Sequence, residues 1–203
     1  MPESRKRLHV DAAGTVRAAT QIPSPNCDAR PETAISLLVI HNISLPPGEF
    51  GGGNVARLFT NTLSPEDHPY YASITGLRVS SHFLIGRDGA LVQFVPCLLR
   101  AWHAGASFWQ GRAGCNDFSI GIELEGTDVI AYEDAQYAQL VRLTRALRRR
   151  YPLTDIAGHS DIAPDRKTDP GPAFDWTRYR RALSARRSPS AHRSPSPRRS
   201  PSA

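Results

Sequence analysis

ISLLVIH, residues 35–41, is the stretch whose reading decides the fold. It is an apolar run with no alternation of polar and apolar positions, so an extended segment here is covered on both faces. A strand of that kind belongs in the middle of a sheet with other elements packed on either side. It ends on His41, and a Gly/Pro-rich stretch, NISLPPGEFGGG, follows at once. Long loops at strand ends are disproportionately functional, so His41 stands where a ligand is expected.

Downstream, Asn54–Thr60 reads as a short helix. Arg78–Ile85 and Ala90–Val95 read as a hairpin turning at Gly86–Gly89. SIGIELE, residues 119–125, alternates: Ile120, Ile122 and Leu124 share one face, and Gly121, Glu123 and Glu125 take the other. Tyr132–Arg150 is the clearest helix. Tyr137, Leu140, Val141, Thr144 and Leu147 form a stripe at helical spacing, acids lie in the first turn and arginines in the last. Asp175 caps a last helix carrying Trp176, Tyr179 and Leu183. Upstream, residues 1–21 read as a loose arm or marginal edge element, and Ile22–Pro31 as an extended surface segment. Strands separated by helices give a mixed α/β (α+β) domain, a central mixed β-sheet flanked by helices, over residues 22–183.

The 203 residues suffice for one well-filled domain. The net charge of +6 suggests nucleic acid, but residues 184–203 hold five arginines and no acid, leaving +1 for the first 183. That tail repeats Arg-Ser-Pro, has nothing to bury and reads as disordered, so no nucleic-acid partner is expected for the folded domain. No apolar run is long enough to span a membrane, and no secretory signal is read at the N-terminus. Cys27, Cys97 and Cys115 are odd in number and widely spaced, which fits free thiols in the cytoplasm.

A second stretch carries chemistry. GHSDIAPDRKTDPGP, residues 158–172, is rich in Pro and Gly and reads as a loop with little regular structure. It supplies His159, Lys167 and Asp169; if it is extended, Lys167 and Asp169 share a side and Arg166 points away. Adding His41 completes a His₂Asp set, which matches a catalytic zinc site with three protein ligands and an open fourth position. Glu123, opposite an apolar strand face, points into a cleft and suits a general acid/base, whereas Glu125 reads as a partly exposed carboxylate. Lys167 suits the stabilisation of an oxyanion.

HNISLPPGEFGG (41–52), LRVSSH (77–82), RAWHAG (100–105), CNDFSIGIELEGTD (115–128) and GHSDIAPDRKTDPGPAFDW (158–176) together resemble the cytoplasmic zinc amidases of 1,6-anhydro-muropeptides. The resemblance runs from about Pro23 to Leu183 and implies a single domain of the peptidoglycan-recognition type. It implies one zinc ion on His41, His159 and Asp169, with Glu123 and Lys167 catalytic. It also implies cleavage of the amide between the lactyl group of anhydro-N-acetylmuramic acid and L-alanine during cell-wall recycling, with an indirect effect on β-lactamase induction. Trp102 and His103 are then candidates to pack against the muropeptide, and Arg78 and Arg112 to pair with its carboxylates. Two features depart from the family pattern: Gly114, where a basic residue is often found, and the Arg-Ser-Pro tail. Two rival readings use the same fold: a non-catalytic muropeptide-binding protein, and a lysin-type amidase of intact wall. A monomer is the favoured state.

Overall fold

A computed structural model describes residues 7–185. Strands Thr20–Gln21 (β1), Cys27–Ala29 (β2) and Leu37–Ile43 (β3) precede helices Asn54–Phe59 (α1) and Pro69–Ser73 (α2). Strands Phe83–Ile85 (β4), Leu91–Gln93 (β5), Leu99–Ala101 (β6), Phe108–Trp109 (β7), Arg112–Ala113 (β8) and Ser119–Glu125 (β9) follow. Helix Asp134–Arg150 (α3), strand Asp155–Gly158 (β10) and helices His159–Ile162 (α4) and Trp176–Ser184 (α5) complete the order. Six strands make one mixed sheet, β1-β5-β4-β9-β3-β10, in which only the β4–β5 hairpin is antiparallel. This is the central sheet with flanking helices that the pattern of elements predicts.

The run Leu37–Ile40 is fully buried at the centre of that sheet. Leu38 and Ile40 of β3 join Ile120, Ile122 and Leu124 of β9 in one apolar cluster with Leu140, Leu143 and Leu147 of α3. Burying such side chains fully stabilises the fold by about 1.5–3 kcal/mol each. Gln136 ties α3 to the sheet by donating from Nε2 to the carbonyls of Glu125 and Ile85. On α5, Asp175 accepts from the N–H of Arg178 as the expected cap, and Tyr179 reaches Thr144 of α3 through its hydroxyl. Leu37 and Val39 face the other way, into a cluster with Phe118, Ala157 and Ile162. The sheet therefore has an α3 face and an opposite face, and the C-terminal ends of β3, β9 and β10 open on the latter.

Three expectations are corrected. The N-terminal segment is not a loose arm: Leu8, Val10 and Val16 are core residues, and the amide of Gln93 bridges Val16 N and Gly14 O. Ile22–Pro31 does not simply lie on the surface, because Ser24 and Asn26 are buried and bond to the backbone of Phe59. The stretch 158–172 is more regular than its Pro and Gly content suggests: β10 runs straight into α4, and His159 is the first residue of that helix. All but the first two residues of the Arg/Ser/Pro tail lie outside the described residues.

Candidate metal centre and catalytic pocket

In β3 and β9 the Cα partners are matched so that His41 stands beside Glu123. β10 pairs with β3 on its other side and ends at Gly158, which delivers His159 to the same corner. The N–H of Ser160 donates to the carbonyl of Asp169, folding the loop back so that the carboxylate meets both histidines. His41 Nδ1 and His159 Nδ1 are 3.0 Å apart, and Asp169 Oδ2 lies 3.1 Å from the first and 3.2 Å from the second. A tetrahedral zinc with bonds of about 2.0–2.1 Å separates its ligand atoms by about 3.3–3.4 Å. The spacing, the donor types and the convergence all fit such an ion. Among the described residues, this is the one group of His, Cys, Asp and Glu with metal-binding geometry.

Electrostatics agree with that fit. Burial pulls His41 down to about 4, so it is neutral at pH 7. Burial alone would raise Asp169, but hydrogen bonds with His159 and His41 outweigh it and hold the carboxyl well below its usual range. A hydrogen on a ring nitrogen can bridge such a pair, but with lone pairs on all three atoms a cation such as a metal ion is needed between them. Glu123 lies in the same corner, and its Oε2 has no hydrogen-bond partner. Burial first, then the charge of Asp169, pushes its carboxyl well above the usual range, with Lys167 opposing. A buried carboxyl whose proton is held more tightly than in water is suited to exchanging protons with a neighbour.

These groups line one cavity of about 370 Å³. His41, Glu123, His159, Lys167 and Asp169 form its polar end, and Leu45, Tyr70, Ile74, Leu77 and Trp102 are among the residues of its walls. Five predicted residues are thus brought together, with Trp102 beside them. His103 also borders the cavity, but its ring is nearly buried behind His41. Arg78 and Arg112 are not among the lining residues. The Arg112 guanidinium stacks 3.8 Å above the Phe118 ring and donates to Thr33, which accounts for it structurally. Gly114 has φ +69° and starts the turn Cys115–Asp117, a conformation that a side chain with Cβ strains. Arg166 does not point idly away: it donates to the carbonyls of Ala104 and Ala106 at 2.8 and 2.7 Å. Glu125 is not a solvated carboxylate: it accepts from the N–H groups of Gly51 and Arg87 and so ties down the Gly-rich loop.

A larger groove of about 900 Å³ runs between α3, α5 and Arg7–Leu8. Its Arg145 caps carbonyls at the end of α5, Arg149 holds Leu8 O and Arg178 pairs with Asp134, so it is a packing seam. Sequence reasoning missed Asn116, which holds the backbone at His103–Ala104, and Arg30, whose Nη atoms reach five carbonyls around residues 97–119. The one available signal was Gly121: a Cβ there would come within 2.5 Å of the His103 ring.

Comparison with known proteins gives a consistent answer. The model of the N-acetylmuramoyl-L-alanine amidase family matches residues 31–172. The chain is 60% identical over 174 residues to the 1,6-anhydro-N-acetylmuramyl-L-alanine amidase AmpD of Escherichia coli K12, covering 84% of this chain and 95% of that protein. The crystal structure of a selenomethionine AmpD derivative superposes with a TM-score of 0.83 at 59% identity, covering 85% of this chain and 98% of that one. A complex of the E. coli amidase AmiD with anhydro-N-acetylmuramic acid-L-Ala-D-γ-Glu-L-Lys superposes with a TM-score of 0.53 at 30% identity, covering 85% and 65% of the two chains.

Proposed function

The chain belongs to the N-acetylmuramoyl-L-alanine amidase family, and from that premise we propose that it releases peptides from anhydromuropeptides in peptidoglycan recycling. It is a hydrolase, and the bond cut is the amide between the lactyl group of 1,6-anhydro-N-acetylmuramic acid and L-alanine. The observation that carries this reading is the convergence of His41, His159 and Asp169 beside the unpartnered carboxyl of Glu123.

His41, His159 and Asp169 would hold a zinc ion, which would supply the Lewis acidity that polarises a carbonyl and lowers the pKa of water. Amide hydrolysis then needs one proton removed from water and one delivered to the departing nitrogen. Glu123 does both. It takes the proton as the new C–O bond forms at the lactyl carbonyl and gives it to the alanine nitrogen as the C–N bond breaks. Lys167 is close enough to act electrostatically on Glu123 and His41, and its ammonium offsets the negative charge growing on the carbonyl oxygen. Trp102 and the apolar wall suit the faces of a sugar and its lactyl arm.

The cytoplasm is the proposed location: Cys27, Cys97 and Cys115 are free thiols, and no helix among the described residues is long and apolar enough to cross a membrane. The test is incubation of the zinc-loaded protein with anhydro-muramoyl-tripeptide and its non-anhydro counterpart, with products read by mass. Free tripeptide from the anhydro substrate is expected. Binding of both without release, or release from intact wall alone, overturns the reading.

A further inference from the structure

Behind the metal-ligand set lies a layer that the proposed chemistry does not use. His41 and His159 meet through their Nδ1 atoms, so each has Nε2 pointing away from the centre. His41 Nε2 lies 2.9 Å from His103 Nδ1, and His103 Nε2 lies 3.1 Å from Ser119 Oγ. His159 Nε2 lies 3.2 Å from the carbonyl oxygen of Ala104. Both rings are therefore gripped from behind by two consecutive residues. One side-chain oxygen holds those residues in turn: Asn116 Oδ1 accepts from the N–H of His103 at 3.2 Å and from that of Ala104 at 2.8 Å. Arg166 steadies the same carbonyl, and bare Gly121 leaves room for the His103 ring.

We propose that His103–Ala104, clamped by Asn116, is a bracket that sets the tautomer and ring orientation of both metal-binding histidines. His103 and Asn116 are positioning residues in this scheme. The inference rests on the metal reading above. A carbonyl oxygen only accepts, so neutral His159 carries its hydrogen on Nε2 and presents a lone pair at Nδ1. For His41 the same outcome requires Nε2–H to donate to His103 Nδ1, and His103 then to donate from Nε2 to the Ser119 hydroxyl. The chain is self-consistent and ends on a group that accepts. The opposite tautomer of His41 would put a hydrogen among the three ligand atoms. Outer partners of metal-bound histidines typically change metal affinity by about 10–100-fold when removed.

The full-length protein tests this with two variant pairs. In His103→Leu the acceptor is lost with much of the bulk kept; in His103→Asn, Oδ1 replaces the acceptor at the Nδ1 position. Asn116→Ala loses the clamp, and Asn116→Asp keeps an accepting oxygen. Zinc affinity is read by competition with a chromophoric chelator, and the imidazole hydrogens of the zinc-loaded protein by ¹⁵N–¹H NMR. Wild type should show His41 and His159 both protonated at Nε2 and protected from exchange. Zinc binding should weaken about 10–100-fold in His103→Leu and Asn116→Ala, with loss of the protected His41 Nε2–H in the former. Most of the affinity should return in His103→Asn and Asn116→Asp. Wild-type affinity in both disruptive variants, or no rescue by either conservative one, overturns the bracket. If His103→Leu does not fold, the Asn116 pair decides: wild-type zinc affinity in Asn116→Ala, or no recovery in Asn116→Asp, refutes the bracket. A wild type that binds no zinc fails the metal reading, which is a separate result.

Discussion

Strands β3 and β9 present two faces built from alternate residues, and the two faces follow different rules. Toward α3 they offer Leu38, Ile40, Ile120, Ile122 and Leu124, a surface that any close-packed helix stripe can cover. On the other side β9 offers Ser119, Gly121, Glu123 and Glu125, all nearly buried, beside His41 of β3. Burying polar groups without partners costs about 1–3 kcal/mol each, so this second face persists by satisfying nearly every one. Ser119 meets His103, and Glu125 holds two backbone N–H groups. Glu123 is the exception, with one oxygen unpartnered. One face thus holds the fold together, and the other gives up stability to keep a reactive group ready.

If that division is right, substitutions on the site face should remove activity and spare the fold. The largest effect is expected for His159→Ala and Asp169→Ala, which should abolish stoichiometric zinc and turnover. Elemental analysis and rates on one muropeptide check this, and full activity in a protein stripped of zinc would sink the metal mechanism. Glu123→Gln comes next: it should retain zinc and substrate binding while kcat falls about 10²–10⁴-fold. Loss of zinc from that variant would make Glu123 a ligand instead.

On the α3 face the expected pattern reverses. Leu140 is fully buried, so Leu140→Ala should cost about 2–5 kcal/mol in chemical denaturation and leave kcat nearly unchanged. A comparable fall in kcat would show that the two faces are not independent. Lys167→Ala should then lower kcat about 10²–10³-fold with little change in KM, because it acts on charge that develops in the transition state. Arg166 is no inert control beside it: Arg166→Ala loses two carbonyl contacts and should reduce stability. Lys167→Ala as mild as a surface change would remove Lys167 from the chemistry.

The two faces also differed in how far the sequence revealed them. The α3 face was readable because burial there follows a period: 3.6 on α3 and 2 on β9. The five residues at the polar end of the cavity were named from residue type and place: His41 at a strand end, Glu123 on a polar strand face, and His159, Lys167 and Asp169 in one Pro/Gly-rich stretch. What escaped depends on partners far along the chain. Val16 is held by Gln93, 77 residues away, and Asn26 by the backbone of Phe59, so neither leaves a local pattern. Glu125 looked solvated because alternation places it beside Glu123, and only the loop at Gly51 explains its burial. Arg112, named for peptide carboxylates, stacks on the Phe118 ring and is not among the residues that line the cavity.

The smallest expected effect separates the faces most sharply, because it sets stability against function within one residue. Burial raises the pKa of Glu123 well above that of the unfolded chain. Between those two values the folded protein holds more protons than the unfolded one, so its stability falls as pH rises through this window. Glu123→Gln cannot ionise and should lack that loss. In metal-free protein the variant should gain stability relative to wild type as pH rises above the pKa of the unfolded carboxyl. Denaturant midpoints measured across that range at constant ionic strength give the difference directly. A bound metal ion supplies positive charge beside the carboxylate, so the gain should shrink when the same series is run with zinc. A catalytically dead protein that is more stable than its parent at neutral pH would mark Glu123 as a group retained for chemistry. A flat difference across pH would mean that Glu123 is already ionised and compensated, and the proton transfers assigned to it would need another source.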